Sequence, residues 1–178
     1  ASNCKVLGGA IDVDAGEKAS QFMQLCQQFA IPLVVLCDTP GFMVGPEHED
    51  RGAVRRLSQL FVAGSQLTVP LVAVVLRKCY GLGAQALLGG NTSKPSYTIA
   101  WPTGEFGPMG LEGAVKLGFK KQLEAVQDPQ AREALYEQLL AEQYQKGQAQ
   151  EVASVLEIDA VIDPANTRQT LLLALNII

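Results

Sequence analysis

The chain has 178 residues, 48% of them hydrophobic and 18% charged, with a formal net charge of −4 at pH 7. That is enough apolar material for one domain of ordinary size, taken here as residues 1–178. The acidic balance gives no footing for nucleic acid or an anionic membrane surface, and no run is long and apolar enough to span a bilayer.

No signal-peptide pattern is read at the start, and the first residue is not methionine, so a trimmed chain or a piece of a longer one is expected. Cys4, Cys26, Cys37 and Cys79 are far apart and form no C-x-x-C. That spacing reads as reduced core thiols in a cytoplasmic protein. His48 is the only histidine, so a multi-histidine metal centre is excluded and no metal is expected.

Val6 to Ile11 reads as a strand. Asp14 is placed to cap the helix that follows. Ala19, Phe22, Met23, Cys26, Phe29 and Ala30 fall at helical spacing and form its apolar face. Pro32 opens a strand, Leu33 to Cys37, and Asp38-Thr39-Pro40-Gly41-Phe42 is a turn at its carboxyl end. A charged loop runs from Phe42 to Arg51. Gly52 to Leu67 returns to helical period. Leu71 to Leu76 is an unbroken apolar run that suits a strand buried on both faces, ended by Arg77 and Lys78. Tyr80-Gly81-Leu82-Gly83-Ala84 then bends the chain into a short helix, Ala84 to Leu88.

The second half is less regular. Asn91 to Pro95 is a polar loop, and Tyr97 to Ala100 is a strand. Gly104, Gly107, Gly110 and Gly113 crowd a turn before a helix, Ala114 to Phe119. Asp128-Pro129 is an N-cap with proline at the first helical position, followed by a glutamine-rich helix, Ala131 to Gln145. Gly147 breaks it. Gln150 to Leu156 resumes helix, Ile158 to Ile162 is a strand, and Asp163-Pro164 opens the last helix, Thr167 to Leu175.

Strands and helices alternate over short connections, so the class is α/β with adjacent parallel strands. Binding loops then gather at the carboxyl ends of strands. Asp38–Gly45 and Tyr80–Ala84 are two such ends, expected side by side. A strand, glycine turn and helix aim free N–H groups at one spot, where they stabilise an oxygen gaining negative charge. The same glycines also serve plain close packing of helix on strand.

Other chemistries fit poorly. The glycine turn holds no serine, which argues against a Ser/His/Asp hydrolase, and no G-x-x-x-x-G-K-[ST] run exists. Asp38 reads as holding its own turn rather than as a base. Glu105 lies among glycines and reads as solvated or turn-capping rather than as a site acid. Arg77 and Lys78 read equally as anion holders or as a solvated strand end. A surface made mainly of backbone suits a reaction whose base comes with the substrate or cofactor, such as thioester enolate chemistry.

Asp38-Thr39-Pro40-Gly41-Phe42, Thr68-Val69-Pro70, Arg77-Lys78-Cys79-Tyr80-Gly81, Ala100-Trp101-Pro102-Thr103-Gly104-Glu105, Met109-Gly110 and Ile158 to Pro164 with Thr167-Arg168 resemble the carboxyltransferase subunit of biotin-dependent acyl-CoA carboxylases. The propionyl-CoA carboxylase beta-subunit type is the nearest pattern, and it covers nearly the whole chain. The resemblance implies a crotonase-like fold, a spiral of strand–strand–helix units, and places this chain on the second, biotin-binding domain.

It implies biotin as cofactor, arriving as carboxybiotin on a partner protein or domain, and an acyl-CoA as substrate. It implies an N-terminal carboxyltransferase domain, biotin carboxylase and biotin carrier components, and a homo-oligomer. It places the backbone donors for the biotin oxygen at Gly41, Phe42, Gly83 and Ala84. Phe42, Met43, Tyr80, Gly81, Leu82 and Gln85 are then the cofactor-binding set. The family pattern is Tyr-Gly-Gly-Ala, and here Leu82 intervenes. A decarboxylase subunit using the same turns and a non-catalytic assembly module are the alternatives. Gly83→Val is expected to crowd the ligand while leaving the fold intact. Leu171, Leu172, Leu173, Leu175, Ile177 and Ile178 are too many for one narrow helical face, so some are expected to meet another subunit or domain.

Overall fold

The computed structural model describes residues 1–176. Five strands form one sheet: β1 (Leu33–Thr39), β2 (Leu71–Tyr80), β3 (Tyr97–Ala100), β4 (Glu105–Gly107) and β5 (Ala160–Val161). The order is β1-β2-β3-β5, with β4 also pairing with β2, and every ladder is parallel. Nine helices accompany them among the described residues: α1 (Val13–Gln28), α2 (Pro46–Asp50), α3 (Ala53–Ser65), α4 (Gly81–Leu87), α5 (Leu111–Gly118), α6 (Lys120–Ala125), α7 (Pro129–Lys146), α8 (Ala149–Ser154) and α9 (Thr167–Ala174).

β2 is the centre of the sheet. Leu71 to Val75 are all buried, so both faces of this stretch are covered and its near-continuous apolar sequence is explained. The strand does not end at Arg77. It continues to Tyr80 because its backbone is paired on both sides: Thr39 of β1 lies against Cys79, and Glu105 to Gly107 of β4 lie against Lys78 to Tyr80. Two polar side chains do not stop a strand whose main chain is satisfied. The glycine-rich stretch after Ala100, expected as turn alone, therefore includes a strand.

Val6 to Ile11 is not a strand. Leu7, Gly8 and Gly9 all have positive φ, at 48°, 61° and 88°, and form a 3-10 turn. Only Ile11 bridges, to Phe42. Helix α1 is capped by Asp12, whose Oδ1 accepts from the Ala15 N–H at 2.8 Å, and not by Asp14. Asp14 instead accepts from Arg51 at 2.8 Å. The buried face of α1 is Val13, Gly16, Ser20, Met23 and Cys26. Of the expected face, Met23 and Cys26 are inside, while Phe22 and Phe29 are exposed.

The main core lies where α1 and α3 meet the sheet, around Leu60, Cys37 and Val75. A smaller cluster, Val115, Leu123 and Leu139, joins α5, α6 and α7. That explains the polar, glutamine-rich α7: only Leu139 of its residues is buried. Asp128 caps α7 as expected, accepting from Gln130 and Ala131. Cys26, Cys37 and Cys79 are buried free thiols, but Cys4 is exposed and so is not a core residue.

Candidate active site

The site is built where β1, β2 and β4 end. At the end of β1, the Thr39 hydroxyl accepts the Gly41 N–H at 3.1 Å and pins the turn. Gly41 then has φ +114°. The next residues run alongside Ile11: Ile11 N–H donates to Gly41 O at 2.9 Å, and Met43 N–H donates to Ile11 O at 2.8 Å. In such a bridge the intervening N–H, that of Phe42, faces the other way, and it has no hydrogen-bond partner among the described residues.

What it faces is α4. A Cβ built on Gly83 falls 2.6 Å from both Gly41 C and Phe42 N, so only glycine allows this approach. The two turns expected to lie side by side are in direct backbone contact. No side chain caps α4. The N–H groups of Leu82 and Gly83 are accordingly unpaired among the described residues, as the first turn of an uncapped helix requires. Three unpaired backbone donors thus come from two adjoining turns, with the positive end of a short helix behind them.

The third turn is Gly107-Pro108, at the end of β4. Gly81 has φ +62°, and a Cβ there would lie 2.9 Å from Pro108 O. A cleft of about 480 Å³ opens beside these turns, lined by Gly81, Ala84, Gln85, Phe106 and Leu111 and, across from them, Val152 of α8. Its volume is in the ordinary range for small-molecule sites.

Asp38 behaves differently from the sequence expectation. Its bonds run to neighbouring segments and not to its own turn. The carboxylate accepts from Lys78 N–H at 3.1 Å, from Arg77 Nε at 3.3 Å and from Cys4 Sγ at 3.0 Å. Burial pushes its pKa up, but the Cys4, Lys78 and Arg77 donors outweigh it, and the net shift is down. Arg77 is therefore tied to Asp38 through Nε, with its side chain half exposed. Asp38 ties β1 to β2 directly below the site.

Of the anticipated residues, Gly41, Phe42 and Gly83 meet one another, and Gly81, Ala84 and Gln85 line the cleft. The Phe42 side chain packs edge-on against Phe61, with ring centroids 6.4 Å apart, and lies against the core. Leu82 is 63% exposed, and Met43 is half-buried; neither lines the cleft. Tyr80 is 2% exposed, and its hydroxyl donates to Glu105 Oε2 at 2.6 Å. Glu105, expected as solvated or turn-capping, instead accepts from Tyr80, and Pro108 and the α8 wall were not foreseen. A three-residue strand carries too little alternation to be read from sequence, and α8 reaches the site only through the tertiary fold.

The Carboxyl transferase domain family model matches residues 1–178. This chain belongs to that family. The beta6 subunit of a biotin-dependent acetyl-/propionyl-coenzyme A carboxylase of Mycobacterium tuberculosis is 40% identical over 176 residues, covering 98% of this chain and 37% of that protein. A solved single-chain, multi-domain long-chain acyl-CoA carboxylase is 50% identical, with a TM-score of 0.82 over 95% of this chain and 16% of that one. The transcarboxylase 12S structure, a hexamer with methylmalonyl-coenzyme A and methylmalonic acid bound, is 36% identical, with a TM-score of 0.87 over 98% of this chain and 33% of that one. The fold is the crotonase-like α/β fold of these carboxyltransferases. The chain spans about a third of the length of the curated relatives it matches.

Proposed function

We propose that this chain is the biotin-side half of the active site of a carboxyltransferase that carboxylates an acyl-CoA. The observation that carries the reading is the contact of the Gly41–Phe42 and Gly83 backbones, which brings unpaired N–H groups of Phe42, Leu82 and Gly83 together. These neutral donors suit a ureido oxygen, and the cleft beside them suits a small bicyclic ligand. When bound, biotin supplies the carboxyl group and then the nitrogen that takes the α-proton of the substrate. This chain's part is to hold an oxygen that gains negative charge, and the loss of one such donor typically costs roughly 2.7–4 kcal/mol in the transition state. The N–H groups of Phe42, Leu82 and Gly83 do so without a side-chain base, while that of Ala84, the fourth residue of α4, is spent on the first helical bond. The carboxylate below the turns, Asp38, is already committed to three donors.

Transfer between biotin and a thioester develops charge on two oxygens and so needs two sets of donors. The second set, and most of the coenzyme A contacts, belong in this reading to an N-terminal carboxyltransferase domain. Residues 1–178 then act as one unit in a homo-oligomeric cytoplasmic complex with biotin carboxylase and biotin carrier components. The test is steady-state acyl-CoA carboxylation by the purified 178-residue chain, alone and with the upstream half supplied. Negligible turnover alone, restored by the upstream half, is expected. Substantial turnover by the chain alone would overturn the division into halves. Decarboxylation without carboxylation in the reconstituted system would move the chain to the decarboxylase class.

A further inference from the structure

Tyr80 stands where three turns meet. Its backbone closes β2 and forms the N-cap of α4. Its carbonyl oxygen lies 3.2 Å from the Cβ position of Gly41, and its ring carbon Cδ1 lies 3.6 Å from that of Gly107. The residue is buried, so its hydroxyl needs a partner inside the protein. It finds one in Glu105 at 2.6 Å, on the strand that leads into Gly107-Pro108. A hydroxyl donating to a carboxylate is among the stronger hydrogen bonds.

We propose that Tyr80 and Glu105 are a positioning pair that braces the first turn of α4 against the Gly41–Phe42 backbone. The inference rests on the reading that the N–H groups of this turn hold a ligand oxygen. Beyond the packing of Gly83 on Gly41 and Phe42, the turn has little side-chain support: among the described residues no side chain caps α4, Leu82 is largely exposed, and Gly81, at φ +62°, is a natural hinge. The Tyr80–Glu105 bond joins the residue before that hinge to β4. β4 is itself held on its far side, where Phe106 N–H donates to Gly147 O at 2.8 Å and Ala149 N–H donates to Gly104 O at 3.0 Å. The brace therefore runs from α4 through β4 to the start of α8. Burial and the neighbouring Glu105 carboxylate both push the Tyr80 phenol well above its ordinary pKa, so it keeps the proton it donates.

Amide hydrogen exchange in the 178-residue chain tests the brace without any turnover. The reporters are Gln85 and Ala86, whose N–H groups bond back to the first turn of the helix. Glu105→Ala and Tyr80→Phe should each speed exchange at these amides by about tenfold or more, while Val72 and Leu60 keep their rates. Glu105→Gln, whose amide oxygen still accepts, should stay near the parent. Unchanged rates at Gln85 and Ala86 in Glu105→Ala would overturn the proposal. So would a uniform acceleration that includes Val72 and Leu60, since that is loss of global stability and not of a local brace. In the reconstituted enzyme, Glu105→Ala should lower kcat with KM for acyl-CoA held, and Glu105→Gln should restore it. Faster exchange with unchanged kcat would uphold the brace and sink the assignment of these N–H groups as donors.

Discussion

A methyl group on Gly83 has no free direction. Its Cβ would fall on the backbone of Gly41 and Phe42, not in an open slot. Gly83→Val therefore cannot crowd a ligand and spare the fold, as the sequence alone implies. Even Gly83→Ala must push two turns apart, at a cost of about 1–3 kcal/mol. That should lower Tm by roughly 2–10 °C in a chain of this size, and a thermal melt checks it. Asp38 gives the second prediction at this scale. Removing its carboxylate leaves the Lys78 N–H and the Arg77 guanidinium without their buried acceptor. Asp38→Ala should cost about 1–3 kcal/mol at pH 7 by urea denaturation. The sign with pH follows from a depressed folded pKa. The stabilisation is present above the unfolded value of about 3.9 and is lost as pH falls through the folded value. The difference between parent and Asp38→Ala should hence shrink in acid, and a gap that stayed constant from pH 7 to pH 3 would refute it.

Among the elements, α1 shows how spacing can be right and phase wrong. Met23 and Cys26 of the expected face are buried, but Phe22 and Phe29 lie about a third of a turn away from the face that Val13, Gly16, Ser20, Met23 and Cys26 bury. Two small residues, Gly16 and Ser20, mark the buried face because α3 packs close there; larger side chains would hold it off. The cap also shifts by two residues. Asp12→Ala should cost about 1 kcal/mol, the usual value of a helix N-cap. Asp14→Ala should cost less than Asp12→Ala, because its pair with Arg51 is exposed. Equal losses from the two variants in a denaturant series would contradict this assignment.

At the scale of the molecule, α9 is a helix with little support from the rest of the chain. None of its residues is buried, and Leu173 is 57% exposed. Its firmest tie at the start is the Trp101 indole N–H donating to the Thr167 hydroxyl at 2.9 Å. Ile177 and Ile178 lie outside the described residues. A leucine-rich helix in that state fits cover by another subunit or domain, in keeping with a solved relative that is a hexamer. Sedimentation velocity at micromolar concentration should show association. Leu172→Asp with Leu173→Asp should reduce it while changing the melting temperature little. A stable monomer of the parent chain would defeat the expectation.

The α/β class, the strands Leu33 to Cys37, Leu71 to Leu76 and Tyr97 to Ala100, and the two glycine turns that end in the site are all legible in the amino-acid order. These rest on local signals: apolar runs, proline and glycine punctuation, and the rule that loops at strand ends gather. Three features come only from the folded arrangement: Gly83 packs on Gly41 and Phe42, Asp38 serves β2 rather than its own turn, and Glu105 holds Tyr80. Each of these joins residues at least 20 apart in the chain. The choice among their partners depends on the sheet register, and a register is set by the simultaneous packing of both faces, which no local window contains.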